Sequence, residues 1–182
     1  MSKQALIIID IQNDYFPGGK WPLEGANPAA DNAAKLLAAA RQRGDLVVHV
    51  RHEFESEDAP FFTPDTQGAA IHAKVQPLED EPVVLKHKVN AFLDTDLKRT
   101  LDDQGVKTLT IVGSMSHMCV DAATRAATDF GYDVTVAHDA CATLPLEFNG
   151  KQIPAAQVHD SVMAALAFAY AKVVKTDELL KN

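Results

Sequence analysis

The sequence is poor in cysteine: two thiols, Cys119 and Cys141, occur in 182 residues. So few exclude a disulfide scaffold, and without a repeated Cys-x-x-Cys they exclude a ribbon-type metal site. No cluster of Lys and Arg is present and the formal net charge is −8. Nucleic acid and anionic membrane are therefore poor partners. Long apolar runs are missing too, so nothing in the chain has the length to span a bilayer. The Met-Ser-Lys-Gln start leads straight into an apolar strand and lacks the extended apolar region of a secretion signal. Internal repeats, low-complexity blocks and linkers are also lacking. What is left is expected to be one reduced, cytoplasmic domain over 1–182, large enough to bury roughly 70% of its unfolded surface without staples. Hydrophobic residues at 47% and charged residues at 23% suit such a domain.

Ala5-Leu-Ile-Ile-Ile-Asp10 is too short for a helix and reads as a buried parallel strand ending in a carboxylate. A carboxylate there needs a partner or a function, because an unpaired buried charge is costly. A turn or N-cap aspartate is the plain alternative. Residues 11–19, Ile-Gln-Asn-Asp-Tyr-Phe-Pro-Gly-Gly, are loop chemistry with two aromatics, which makes Gln12 and Tyr15 candidates for lining a pocket. A helix is expected over 28–43, with Asn27 as cap, Pro28 in the first turn and Gly44 as stop. A second strand, 46–50, leads into Arg51-His52-Glu53-Phe54. Residues 55–82 are acidic, proline-bearing and aperiodic, as lids and interface segments are. A third strand over 82–89 places Lys86 and Lys88 on one face. A helix entered through Asp94 or Thr95 ends at Gln104-Gly105.

Leu109-Thr-Ile-Val112 is a fourth buried strand, and Gly113 ends it. Cys119, Ala122, Ala123, Ala126 and Phe130 then recur at helical spacing up to Gly131. A cysteine in the first turn of that helix meets free backbone N–H groups and the helix dipole. These are expected to lower its pKa toward neutrality. An inert thiol packed like alanine is the alternative for Cys119, and the expectation for Cys141. A fifth strand over 133–138, a loop over 144–153 turning at Asn149-Gly150, an Ala-rich helix over 154–170 and a short strand at 173–174 complete the chain. Strands alternating with helices predict the α/β class: three αβα layers around a doubly wound, mainly parallel sheet of about six strands, Rossmann-like. Sites in such sheets gather outside the carboxyl ends of the strands. Asp10, Lys86 and Cys119 all fall at or just beyond such ends.

Five segments carry a likeness: Ile9-Asp-Ile-Gln-Asn-Asp-Tyr15; Lys86 with Phe92 and Thr95-Asp-Leu97; Gly113-Ser-Met-Ser-His-Met-Cys-Val120; Gly131-Tyr132; and Asp139-Ala-Cys141. Over nearly its whole length the chain resembles the isochorismatase-like cysteine hydrolase superfamily. The resemblance implies a triad of Asp10 as proton acceptor, Cys119 as nucleophile and Lys86 as the ammonium that holds the carboxylate and favours the thiolate. It also implies a cis peptide between Ser114 and Met115, and an oxyanion hole made by the backbone N–H groups of Met115 and Cys119.

Nicotinamidases of this superfamily bind a divalent metal through Asp-x-His and a further His around the second strand. Val50-Arg-His-Glu-Phe54 departs from that pattern, so neither metal nor other cofactor is expected. His49, His52 and His72 are the residues that a metal would otherwise claim. Ser-Met-Ser-His stands where relatives often have Val-Ala-Thr-Asp. This makes His117, beside Phe54, a pocket candidate for something other than nicotinamide. The retained cysteine favours amide chemistry over the vinyl ether hydrolysis of isochorismatases proper. The expected function is metal-independent hydrolysis of a small amide, lactam or carbamoyl compound through a thioester. Nicotinamidase activity, or a non-catalytic or redox thiol protein, are the alternatives. A homo-oligomer, dimer or tetramer, is expected from the apolar surface of residues 154–170 and 55–82 and from the habit of the superfamily.

Overall fold

A computed structural model describes residues 3–181. Met1, Ser2 and Asn182 lie outside the described residues, and with them the first residues of the N-terminal stretch read above as lacking the features of a secretion signal. The main sheet has six strands: β1 (Lys3–Ile9), β2 (Leu46–His52), β3 (Val83–Lys86), β4 (Val106–Ser114), β5 (Asp133–Ala142) and β8 (Lys172–Val174). Their spatial order is β3-β2-β1-β4-β5-β8, and every pairing is parallel. The doubly wound α/β sheet is as expected, with its topological switch between β1 and β4. Two short antiparallel strands, β6 (Leu146–Phe148) and β7 (Lys151–Ile153), make a separate hairpin. The Asn149-Gly150 turn lies between them.

Both faces of the sheet are covered, which explains why β1 is an unbroken apolar run instead of an alternating one. Ala5, Ile7 and Ile9 point to a core completed by Leu97 and Leu101 of α2 (Leu97–Asp103), Ala123 and Ala127 of α3 (Asp121–Asp129), and Met163 and Leu166 of α4 (Ala155–Ala169). Leu6 and Ile8 point the other way, onto Ala30, Ala33, Leu36, Leu37 and Ala40 of α1 (Ala26–Arg43). A last short helix, α5 (Thr176–Leu179), packs Leu179 against this second core. Among the described residues no helix is long and apolar enough to cross a membrane.

Several element boundaries differ from expectation. Helix α1 starts at Ala26 with Gly25 as N-cap at φ 73°, so Asn27 lies inside the first turn. Pro28 is tolerated there because first-turn N–H groups have no intrahelical acceptor. Strand β3 stops at Lys86, and α2 begins only at Leu97 with Asp96 as cap. Strand β5 continues through Ala142, absorbing the Asp139-Ala-Cys segment, after a register irregularity opposite Gly113. Gly113 itself has φ 129°, and a Cβ there would collide with the Ile9 carbonyl oxygen of β1. Only glycine lets the two strands approach so closely. Segment 55–82 is packed rather than loose: Phe62 is fully buried, Phe61 and Val75 are buried, and Ile71 bridges back to Gln12.

Candidate active site

Three strand ends converge at the switch point. Asp10 follows β1, with a left-handed backbone (φ 51°) and its N–H donating to the Val50 carbonyl of β2 at 2.9 Å. Such a conformation is strained for a non-glycine residue and concentrates at functional sites. Lys86 ends β3, paired in register with His52 of β2. Cys119 sits in a π-helical segment, Ser116–Val120, that joins β4 to α3. Asp10 and Lys86 are buried to within 1% and Cys119 is 6% exposed.

The Lys86 ammonium organises the centre. Its nitrogen lies 2.9 Å from His52 Nδ1, 3.1 Å from the Lys88 carbonyl oxygen and 3.3 Å from Cys119 Sγ. Asp10 Oδ2 lies 2.9 Å from the same nitrogen as a fully buried ion pair. Beyond its contacts with Lys86 and Cys119, the Asp10 carboxylate has no hydrogen-bond partner among the described residues. Lone pairs on that carboxylate remain open to accept a proton. Lys88, the other lysine expected on that strand face, points away and lies 3.6 Å from Glu55.

The charges follow from this packing. Burial pushes the Asp10 carboxyl up, against the pull of Lys86. Burial disfavours the Lys86 ammonium, yet Asp10 and Cys119 outweigh it and hold the ammonium in place. The expected lowering of the Cys119 pKa is overturned: burial first, and the facing Asp10 second, push the thiol up, with Lys86 only partly opposing them. The expectation treated Cys119 as an exposed first-turn residue of an α-helix. It is instead a buried member of the π-helical turn that precedes α3. Burial thus favours the neutral thiol at Cys119, while its anionic neighbours keep the Lys86 ammonium charged. Cys141 is buried, as expected, its thiol donating to the Ala137 carbonyl at 3.4 Å and pushed up to about 12 by burial.

The peptide bond between Ser114 and Met115 is cis. Ser116, fully buried, places Oγ 2.8 Å from His159 Nδ1 and 3.3 Å from the Ala142 carbonyl. His117 Nδ1 is 2.6 Å from Thr143 Oγ1. Gln12 is fully buried and its amide is spent on backbone: Nε2 donates to the His52 and Ala69 carbonyls, and Oε1 accepts from the His52 N–H. It clamps the end of β2 and has no amide hydrogen left for a substrate. Tyr15 packs on Phe62 with ring centroids 4.5 Å apart, and Phe54 stands edge-on to His52 at 4.7 Å. Phe61 and Phe62, absent from the sequence-based candidates, complete this aromatic wall. Two adjacent phenylalanines inside an otherwise polar stretch were the available signal.

The histidines considered as metal ligands do not converge. His49 Nε2 is 2.9 Å from Glu81, His52 faces Lys86, and His72 stacks on Phe16 at 3.7 Å. Among the described residues no group of three His, Cys, Asp or Glu side chains is placed to hold a metal ion. A separate cavity of about 370 Å³ lies between the start of α1, the end of β5 and α4, lined by His138, Asp139, Cys141 and His159 among others. It shares no residue with the triad.

The isochorismatase domain model matches residues 4–178. The chain belongs to the isochorismatase family. Within that family it is 50% identical to the isochorismatase family protein YddQ of Bacillus subtilis (strain 168) over 177 residues, 97% of this chain and 98% of the relative. It is 36% identical to the streptothricin hydrolase of Streptomyces noursei over 177 residues, covering 97% of this chain and 60% of that protein. A crystal structure of an isochorismatase-type hydrolase from Oleispira antarctica superposes with a TM-score of 0.96. It shares 59% identity and covers 100% of this chain and 97% of that one. The chain is therefore an isochorismatase-family hydrolase with the three-layer architecture of its relatives.

Proposed function

We propose that this isochorismatase-family hydrolase cleaves the C–N bond of a small amide, lactam or carbamoyl compound through a thioester on Cys119, without a metal. The observation that carries this is the Lys86 nitrogen lying 2.9 Å from Asp10 Oδ2 and 3.3 Å from Cys119 Sγ. One cation thereby holds a candidate base and a candidate nucleophile side by side. The hydrolytic relative that acts on streptothricin supports the reaction class.

In the first half-reaction the Cys119 thiol proton passes to an open oxygen of Asp10 as Sγ bonds to the substrate carbonyl carbon. The backbone N–H groups of Met115 and Cys119 hold the resulting oxyanion, a role in which losing one donor typically costs on the order of 10²–10³ in rate. Collapse breaks the C–N bond, and Asp10 returns the proton to the departing nitrogen. Water then attacks the thioester while Asp10 accepts its proton. Collapse expels the thiolate, which takes that proton back as the carboxylic acid product leaves. Lys86 stays charged throughout. It offsets the negative charge as it moves from carboxylate to sulfur and back. The thiol needs no low resting pKa in this scheme, because proton transfer and attack are coupled.

A panel of primary amides, lactams, carbamoyl compounds and nicotinamide, assayed for amine or ammonia release, tests the proposal. Mass spectrometry of acid-quenched protein should show an acyl adduct on Cys119. Release of nothing from the whole panel, or hydrolysis that survives Cys119→Ala, would overturn it. Nicotinamide as the best substrate would instead establish the nicotinamidase alternative.

A further inference from the structure

The turn that carries Cys119 is fastened by a histidine to which the proposed reaction gives no part. Inside the turn, the Met115 carbonyl accepts from the Met118 and Val120 N–H groups at 3.1 and 3.2 Å. Side chains then tie the turn to its surroundings. Ser116 Oγ lies 2.8 Å from His159 Nδ1 and 3.3 Å from the Ala142 carbonyl oxygen at the end of β5. Next to it, His117 Nδ1 lies 2.6 Å from Thr143 Oγ1. His159 is half-buried and sits in the second turn of α4, a helix anchored by the buried side chains of Val158, Met163 and Leu166. It is thus mounted on a rigid element outside the turn.

Ser116 is fully buried, so its hydroxyl has to be satisfied by the protein around it. A hydroxyl both donates and accepts, and can therefore join two groups at once. Whichever partner donates in the 2.8 Å bond, Oγ is held between α4 and the end of β5. Ser116 directly follows Met115 and lies three residues before Cys119. The backbone N–H groups of those two residues are the oxyanion donors of the proposed reaction. Such donors act only when they are already aimed at the developing charge. A misplacement of about 1 Å can cost about 10² in rate. The one side chain that anchors the backbone between the donors therefore bears on catalysis, and His159 is what holds it from the helix side.

We infer that His159 is a positioning residue for the oxyanion turn, acting through Ser116 Oγ to keep the Met115 and Cys119 N–H groups trained on the carbonyl oxygen. The inference rests on the thioester reaction proposed above and adds a support for its oxyanion site.

Four variants and two probes of Cys119 test it. His159→Leu and Ser116→Ala each remove the bond. His159→Asn returns an amide to the place of Nδ1, able to donate or accept, whereas His159→Gln puts its amide near Nε2. His159→Leu and Ser116→Ala should each lower kcat by about tenfold or more with KM little changed. The double variant should lose no more than either alone, because both break one bond. His159→Asn should recover most of the loss and His159→Gln little. The probes are butyraldehyde and iodoacetamide. Addition of Sγ to the aldehyde carbon breaks the C=O π bond, sends the thiol proton to Asp10 and leaves an oxyanion on the two N–H groups. Alkylation by iodoacetamide displaces iodide and forms none. Butyraldehyde affinity, read as protection of Cys119 from alkylation, should fall in His159→Leu by about the same factor as kcat. The alkylation rate without aldehyde should stay within about twofold of wild type.

An unchanged kcat in His159→Leu, additive losses in the double variant, or alkylation that falls in step with kcat would overturn the inference. So would a wild-type Cys119 that butyraldehyde does not protect. If calorimetry shows His159→Leu or Ser116→Ala to be unfolded, the contrast between His159→Asn and His159→Gln decides, and equal behaviour of that pair counts against the bond. A wild-type protein inactive on every amide would remove the proposed reaction, while the aldehyde and alkylation results would still judge the turn.

Discussion

Lys86→Met removes the cation at the centre of the site and leaves Asp10, which is fully buried, without a counter-charge. Breaking a buried ion pair from one side typically costs about 3–5 kcal/mol, because the remaining charge is uncompensated. For a domain of this size that corresponds to roughly 6–20 °C in Tm. The carboxyl of Asp10 is already pushed up by burial, and without Lys86 it is pushed further. A folded-state pKa above the unfolded value of about 3.9 means that the folded protein binds the extra proton between the two values. Stability therefore falls as pH rises through that window. The deficit of the variant should be small near pH 4 and full once the raised carboxyl has ionised. The same protonation removes the base, so hydrolysis should fall by roughly 10²–10⁴. Asp10→Asn combined with Lys86→Met replaces both charges by neutral groups of similar volume, and should regain most of the stability and none of the activity. Calorimetry from pH 4 to 8, with the best amide substrate as kinetic readout, measures all of this. An unchanged Tm at pH 8, or an active Lys86→Met beside a dead Lys88→Ala, would refute the assignment of Lys86.

Other consequences are simpler to check. Because the Cys119 thiol is pushed up by burial and Asp10, its alkylation by iodoacetamide should keep accelerating beyond pH 9; a plateau by pH 7 would show a resting thiolate instead. Asp10→Asn should abolish hydrolysis while speeding that alkylation, since a negative neighbour is gone, and slower alkylation would contradict the facing geometry. Gly113→Ala should fold poorly or lose several degrees in Tm, because its φ of 129° and the Ile9 carbonyl both oppose a Cβ; a wild-type Tm would show that β1 and β4 are not so close. A homo-oligomer is also expected, with Phe168 of α4 at 91% exposure as part of the covered face. Light scattering that gives about the 19.7 kDa of a single chain at all concentrations would exclude it.

The sheet was legible in the sequence because parallel strands buried on both faces are short apolar runs, and Ala5–Ile9 and Leu109–Val112 are such runs. The convergence of Asp10, Lys86 and Cys119 was legible for a related reason: each lies at or beyond the carboxyl end of a strand, where sites in such sheets gather. The charge state of Cys119 was not legible. It depends on how deep the residue sits and on which carboxylate faces it, and neither is a local property. Lys88 could not be separated from Lys86 without knowing that β3 stops after four residues. His52 stood out only as a metal candidate, since its partnership with Lys86 exists only once β2 and β3 are paired in register. Gln12 looked like a pocket residue because glutamine in a loop usually is exposed, whereas here three backbone groups take up its amide.

The binding of the 55–82 segment to the loop after β1 has a bearing on how new specificities arise in this scaffold. Asp14 accepts from the Phe62 and Lys20 N–H groups and its own N–H reaches the Gly68 carbonyl; Gln12 holds Ala69, and the His72 N–H reaches the Ile11 carbonyl. The segment that supplies the aromatic wall is thus stitched, residue by residue, to the segment that mounts Asp10. Exchanging 55–82 alone for the equivalent stretch of a relative would leave Gln12 and Asp14 facing foreign backbone and would disturb the base along with the wall. Residues 11–20 and 55–75 form one inheritable cassette, and a chimera that carries both should keep its chemistry while changing what it accepts.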